Sequence, residues 1–143
     1  MQARSQSGQT TDEKATPSKP FTYIIDEFAD IKVMRYRFEA WQNLSLNQKH
    51  LIYHLSCAAL WGRDIIWQQH CELNLVVRKA LEKALTSYQG SRTTADWKDF
   101  ETYCKRVFFS NGIHHHYAEE KFFPFCSRDY FVSVVASSFG KDK

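Results

Sequence analysis

The sequence predicts a mainly α fold with a short β segment near the N-terminus. Three observations predict it. Apolar residues recur at helical spacing over most of the stretch from 46 to 139. Stop signals divide that stretch: Gly62, Gly90 and Ser110-Asn111-Gly112. Only residues 21–38, FTYIIDEFADIKVMRYRF, are rich in β-branched and aromatic types with imperfect alternation.

The length of 143 residues is that of one domain. Nineteen Lys and Arg face sixteen Asp and Glu, for a net charge of +3, which describes a mixed surface rather than a nucleic-acid-binding one. No uncharged apolar run reaches the roughly 18–20 residues that span a bilayer. The aromatic content stands out. Four Trp, seven Tyr and eleven Phe must be buried or must face a partner.

Residues 1–20 are a polar tail that cannot order itself by burial. They contain no apolar leader core, which favours the cytoplasm, although a leader upstream would change that expectation. From 21 to 143 the chain is read as one mostly helical unit. Phe21, Tyr23 and Ile25 share one face of a first strand, Asp26 to Asp30 form a turn, and Ile31 and Val33 begin a second strand.

Ser45 precedes Gln48 by three residues, a capping-box spacing that opens a helix over 46–61. Leu51, Ile52, Leu55, Ala58 and Ala59 are its stripe, and Gly62 closes or kinks it. Residues 63–88 read as one further helix. Ile65, Ile66, Leu73, Val76, Val77, Ala80, Leu81, Ala84 and Leu85 form its buried stripe, and Arg78, Lys79, Glu82 and Lys83 its wet face. Thr93 or Thr94 caps a helix from Ala95 to Phe109, buried along Trp97, Phe100, Tyr103, Cys104, Val107 and Phe108. Residues 111–126 are irregular. A last helix starts near Ser127 and runs toward Phe139.

The four cysteines form no CxxC pair, so a zinc-ribbon reading is poor. Two disulfides are arithmetically open, but Cys57, Cys71 and Cys104 fall in predicted helices, and buried free thiols are expected. His50 and His54 share a helix face, but Leu51 stands where a zincin carries its Glu base. His114, His115 and His116 are consecutive, and neighbouring side chains diverge, so three in a row do not make a metal site without partners from elsewhere. No GxGxxG, GxxxxGK[ST] or GxSxG is present. Arg63-Asp64 beside Ile65-Ile66-Trp67 is read as an ion pair that fixes helix register, or as a partner contact. The residues alone supply no complete catalytic site.

Three stretches carry a resemblance: FTYIIDEFADIKVMRYRFEAW, LSLNQKHLIYHLSCAALWGRDIIWQQH and DWKDFETYCKRVFFSNGIHHHYAEEKFFP. In order and register they resemble the N-terminal part of the dipeptidyl peptidase III family, in its Bacteroides-type branch, over about residues 21–135. LSCAALWGRDI and SNGIHHHYAEEKFFP are the most specific pieces. The resemblance implies part of the mixed α/β lower lobe of a two-lobed zinc exopeptidase, which releases dipeptides from the N-terminus of oligopeptides. The family binds zinc through HExxGH and an EExRxE-type helix. Neither motif occurs in this chain, so no ligand or catalytic base carries over and no cofactor is expected on it. What carries over is the stretch from Asn111 to Phe122. The resemblance makes Asn111, Gly112, His114, His115, His116, Tyr117 and Lys121 candidates for lining the peptide channel. It also implies an oligopeptide substrate and a downstream lobe as partners, and no activity of the chain alone. The alternative from a different class is a stand-alone helical module whose aromatic surplus forms a peptide or protein groove. A self-sufficient His-loop metal protein is the third reading.

Overall fold

A computed structural model describes residues 20–139. The described chain is five helices and one β-hairpin. Their order is β1 (Ile24–Phe28), β2 (Ile31–Met34), a 3-10 turn (Glu39–Asn43), α1 (Leu46–Trp61), α2 (Arg63–His70), α3 (Asn74–Ser87), α4 (Ala95–Ser110) and α5 (Arg128–Phe139). The polar tail lies outside the described residues, except Pro20.

β1 pairs antiparallel with β2, with Phe28 opposite Ile31. The first strand therefore starts later than predicted and runs through the expected turn. The real turn is Ala29-Asp30, and Ala29 takes φ 50. A two-residue hairpin loop needs such a left-handed residue, and an L side chain adopts it at a cost of roughly 1–2 kcal/mol. The hairpin docks on α4 through charge. Lys105 meets Asp26 at 2.9 Å and Arg106 meets Asp30 at 3.9 Å, while Ile31 is buried beneath.

α1 has its predicted bounds and cap. The Gln48 N–H donates to Ser45 Oγ at 3.3 Å, and the Ser45 N–H donates back to Gln48 Oε1 at 2.8 Å. Its predicted stripe, however, is not buried: no residue of α1 is. Leu46, Leu51, Ile52, Tyr53, Leu55, Leu60 and Trp61 are all exposed, Trp61 at 89%. These residues lie around the whole helix, so no single face gathers them.

The helix predicted over 63–88 is two helices. It breaks at Cys71-Glu72-Leu73, where Cys71 is extended (φ -169, ψ 137). The break folds α2 back on α3 and changes the buried face. Asn74, Arg78, Leu81 and Ala84 are buried, whereas Ile65, Ile66, Leu73 and Val76 are exposed. Arg78 thus leaves the predicted wet face. It is held by two carboxylates, Asp64 at 2.6 Å and Glu82 at 2.9 Å. Asp64 pairs with Arg78 and not with its neighbour Arg63.

Thr94 is the α4 cap, accepting from the Trp97 N–H at 3.2 Å. Trp97, Phe100, Tyr103, Cys104 and Val107 are buried as predicted, and Phe108 is half-buried. The core gathers these with Trp67, Leu81, Ala84, Phe122, Cys126 and Val134. Tyr88 stacks on Trp97 at 4.6 Å, and Phe131 sets its edge against Phe100. α3 is the central helix, packed against α2, α4 and α5. All four cysteines are free, but only Cys104 and Cys126 are buried. Cys57 and Cys71 are half-buried, and Cys71 lies in the break rather than in a helix. No helix among the described residues is long and apolar enough to cross a membrane.

Candidate functional site

The stretch after α4 is a miniature hairpin. Asn111 ends α4 in the left-handed conformation (φ 54, ψ 34), as Asn tolerates better than most side chains. The Gly112 N–H then returns to the Val107 carbonyl at 3.1 Å. Ile113 and Phe122 face each other, with the Phe122 N–H on the Ile113 carbonyl at 2.8 Å. His114 bridges Lys121, and the His115 N–H donates to the Glu120 carbonyl at 2.8 Å. Ile113 and Phe122 are buried, which seats the hairpin on the core and leaves its tip, His115 to Glu119, facing outward.

Gly112 does not serve a left-handed turn. No glycine among the described residues has positive φ. Its reason is the Asn74 side chain, since a Cβ on Gly112 would lie 2.3 Å from Asn74 Nδ2. Asn74 is fully buried, and its Oδ1 accepts the Ile113 N–H at 3.2 Å. The start of α3 therefore pins the base of the histidine hairpin.

Between them lies an open cleft of about 660 Å³. Its walls carry His70, Asn74, Ser110, Gly112, the three consecutive histidines, Tyr117, Ala118 and Glu119. Of the residues singled out from sequence, Gly112, His114, His115, His116 and Tyr117 line it. Asn111 lines a neighbouring, smaller cavity, and Lys121 lines neither, standing opposite His114. His70, Asn74 and Ser110 were not anticipated. A polar Asn74 in line with Arg78 and Leu81 on one helical face was the available signal. His70 gave none once 63–88 was read as a single helix.

The rings do not diverge as expected of consecutive residues. His115 and His116 stack at 4.4 Å and 26°, and Tyr117 lies 4.2 Å from His116. His115 also sets its edge on Phe122, and His116 on Phe109. The turn at the hairpin tip, closed by the Ala118 N–H on the His115 carbonyl, gathers them. The Tyr117 N–H donates to His115 Nδ1 at 3.1 Å, which places the His115 proton on Nε2. The cleft thus offers imidazole donors, an acidic side chain, a hydroxyl and flat aromatic faces.

His50 and His54 are exposed on α1, with His54 edge-on to Tyr53. Among the described residues, no group of three His, Cys, Asp or Glu side chains is placed to hold a metal. No catalytic step is assigned to this chain. No protein-family model matches the sequence, and no curated protein matches it.

Proposed function

We propose that this chain forms part of the peptide-binding lower lobe of a zinc dipeptidyl peptidase, and that its histidine hairpin lines the channel for an oligopeptide. The carrying observation is a coincidence of sequence and cleft. SNGIHHHYAEEKFFP, one of the two stretches with the most specific resemblance to that family, supplies most of the lining of the 660 Å³ cleft. The exposed apolar residues of α1 add support, because a helix with no buried residue needs a neighbour to cover it. In this reading the chain orients substrate, while the zinc and its base come from polypeptide outside it.

The test uses His115 and Tyr117 in the enzyme that carries this chain. Replacing His115 with Ala or Tyr117 with Ala is expected to raise KM for a tetrapeptide about tenfold, while zinc content stays at one equivalent. A loss of 1.4 kcal/mol of binding corresponds to that factor. Unchanged KM in both variants sinks the channel assignment. The alternative, a stand-alone helical module, is favoured instead if the 143-residue chain is monomeric, unfolds cooperatively and binds tetrapeptides by itself.

A further inference from the structure

No residue of α1 is buried, and none belongs to the core. Its chief neighbour among the other elements is α2. Its apolar residues make two opposite sides. Leu51, Ile52, Leu55, Ala58 and Ala59 recur at helical spacing, and no polar residue breaks that side from 51 to 59. All five are exposed. The opposite side, through Leu46, Tyr53 and Leu60, is broken by His50. The helix carries one full charge, Lys49, and no acid. The surface of the chain is correspondingly large. Its 143 residues expose 12216 Å², whereas a compact monomer of 16.8 kDa exposes about 7,700 Å². If the residues outside 20–139 exposed all that an unfolded chain does, they would account for about 3,600 Å². Residues 20–139 would still expose about 1,800 Å² more than a compact monomer of their own mass.

We infer that α1 is the contact between two copies of this chain, packed antiparallel along Leu51, Ile52, Leu55, Ala58 and Ala59. The inference goes beyond the peptidase reading and does not depend on it. The excess surface is about twice the roughly 800 Å² that each partner gives to a stable interface of standard size. The unbroken apolar side supplies the centre of such a contact, and its two alanines let the helices approach closely. A two-fold contact brings the same surface of both copies together, so it must tolerate its own charge. α1 does, because Lys49 is its only full charge. In an antiparallel pair Lys49 of one copy stands level with the last turn of the other α1, where the helix dipole is negative. A parallel pair would set the two Lys49 side by side.

Sedimentation equilibrium of the 143-residue chain, over micromolar concentrations, reads the contact. The expected species is a reversible dimer at twice the mass of 16.8 kDa. Leu51→Glu combined with Leu55→Glu raises its dissociation constant at least about a hundredfold, since each copy then loses two apolar side chains from the contact. Ala58→Glu, a single change at an exposed position, raises it at least about tenfold and carries the test if the double variant does not fold. Leu60→Gln, on the opposite side, leaves it unchanged. A chain that stays monomeric at every concentration overturns the inference, and assigns the cover of α1 to polypeptide outside this chain or to another protein. Open-ended polymers, a dimer that survives Ala58→Glu, or one broken only by Leu60→Gln overturn it as well.

Discussion

Asn74 Oδ1 accepts the backbone N–H of Ile113 at 3.2 Å, across 39 residues of sequence. This bond ties the first turn of α3 to the root of the histidine hairpin. The same side chain fills the space that a Cβ on Gly112 would need. Position 74 thus sets both where the cleft's wall stands and which residue is allowed at 112.

A double-mutant cycle tests that coupling. Gly112→Ala forces its Cβ against a buried amide and is expected to cost about 1–3 kcal/mol. Asn74→Ala leaves the Ile113 N–H unpaired and is expected to cost about 1–3 kcal/mol. Removing the amide also removes the clash. The double variant should then be more stable than the sum of the two losses predicts, by about 1 kcal/mol or more. Urea unfolding measures it, and strict additivity would show that the two residues do not constrain each other.

The hairpin anchor gives a second prediction. The hydrogen bond from Lys105 holds the Asp26 carboxyl below its usual range, with burial opposing and the Glu27 N–H assisting. A carboxylate depressed in the folded state stabilises above its unfolded value of about 3.9, and that contribution is lost as pH falls through the folded value. Asp26→Asn at neutral pH should mimic acid. Amide exchange across Ile24–Phe28 and Ile31–Met34 should speed up several-fold, with α4 unaffected. Ala29→Gly should act oppositely, relieving about 1 kcal/mol of left-handed strain. Equal exchange in wild type and Asp26→Asn would show that the ion pair does not hold the strands.

Alkaline pH gives a third. Burial, then the neighbouring Cys126, pushes the Cys104 thiol far up, and burial also raises the Tyr103 phenol. The folded chain keeps a thiol proton that the unfolded chain releases near pH 8.5. Stability is therefore complete below about pH 8.5 and falls as pH rises above it. Cys104→Ala should flatten that decline, read from Tm between pH 7 and 10. In thiol labelling, Cys57 and Cys71 should react first, and Cys104 and Cys126 only after unfolding. Rapid labelling of Cys104 in the native chain would contradict its burial.

The elements read correctly in the sequence are those with local signals. Ser45 with Gln48, and Thr94 with Trp97, fix the starts of α1 and α4 within four residues of chain. The buried side of α4 follows from spacing alone. The break at 71–73 carries no such signal. Leu73 caps α3 without a side-chain bond, and neither Gly nor Pro marks the place. Missing it hid the pairing of Asp64 with Arg78, because that ion pair exists only once α2 folds back on α3. The local charge run from Arg78 to Lys83 reads as solvated until a carboxylate arrives from another helix. The site was legible in part for the same reason. SNGIHHHY is contiguous, so its residues could be named together, whereas His70 and Asn74 join them only through the fold.

The apolar residues of α1 give a fourth prediction. Leu51, Leu55 and Trp61 are exposed, and no residue of α1 is buried. Changing all three to Glu should leave the Tm of the 143-residue chain within about 2–4 °C, the shift that roughly 1 kcal/mol makes in a domain near this size. The same change should reduce self-association in sedimentation. A collapse of the fold would show that α1 is packed within this chain after all.

The central claim is tested most directly by dipeptide release. A tetrapeptide is incubated with the zinc-loaded product of the whole reading frame, with the same product carrying His115→Ala and Tyr117→Ala, and with the 143-residue chain alone. The account predicts dipeptides from the free N-terminus with the whole product, a KM raised at least about tenfold in the double variant with zinc retained, and no release by the chain alone. Release by the chain alone, no release by the whole product, or a KM indifferent to both residues would contradict it.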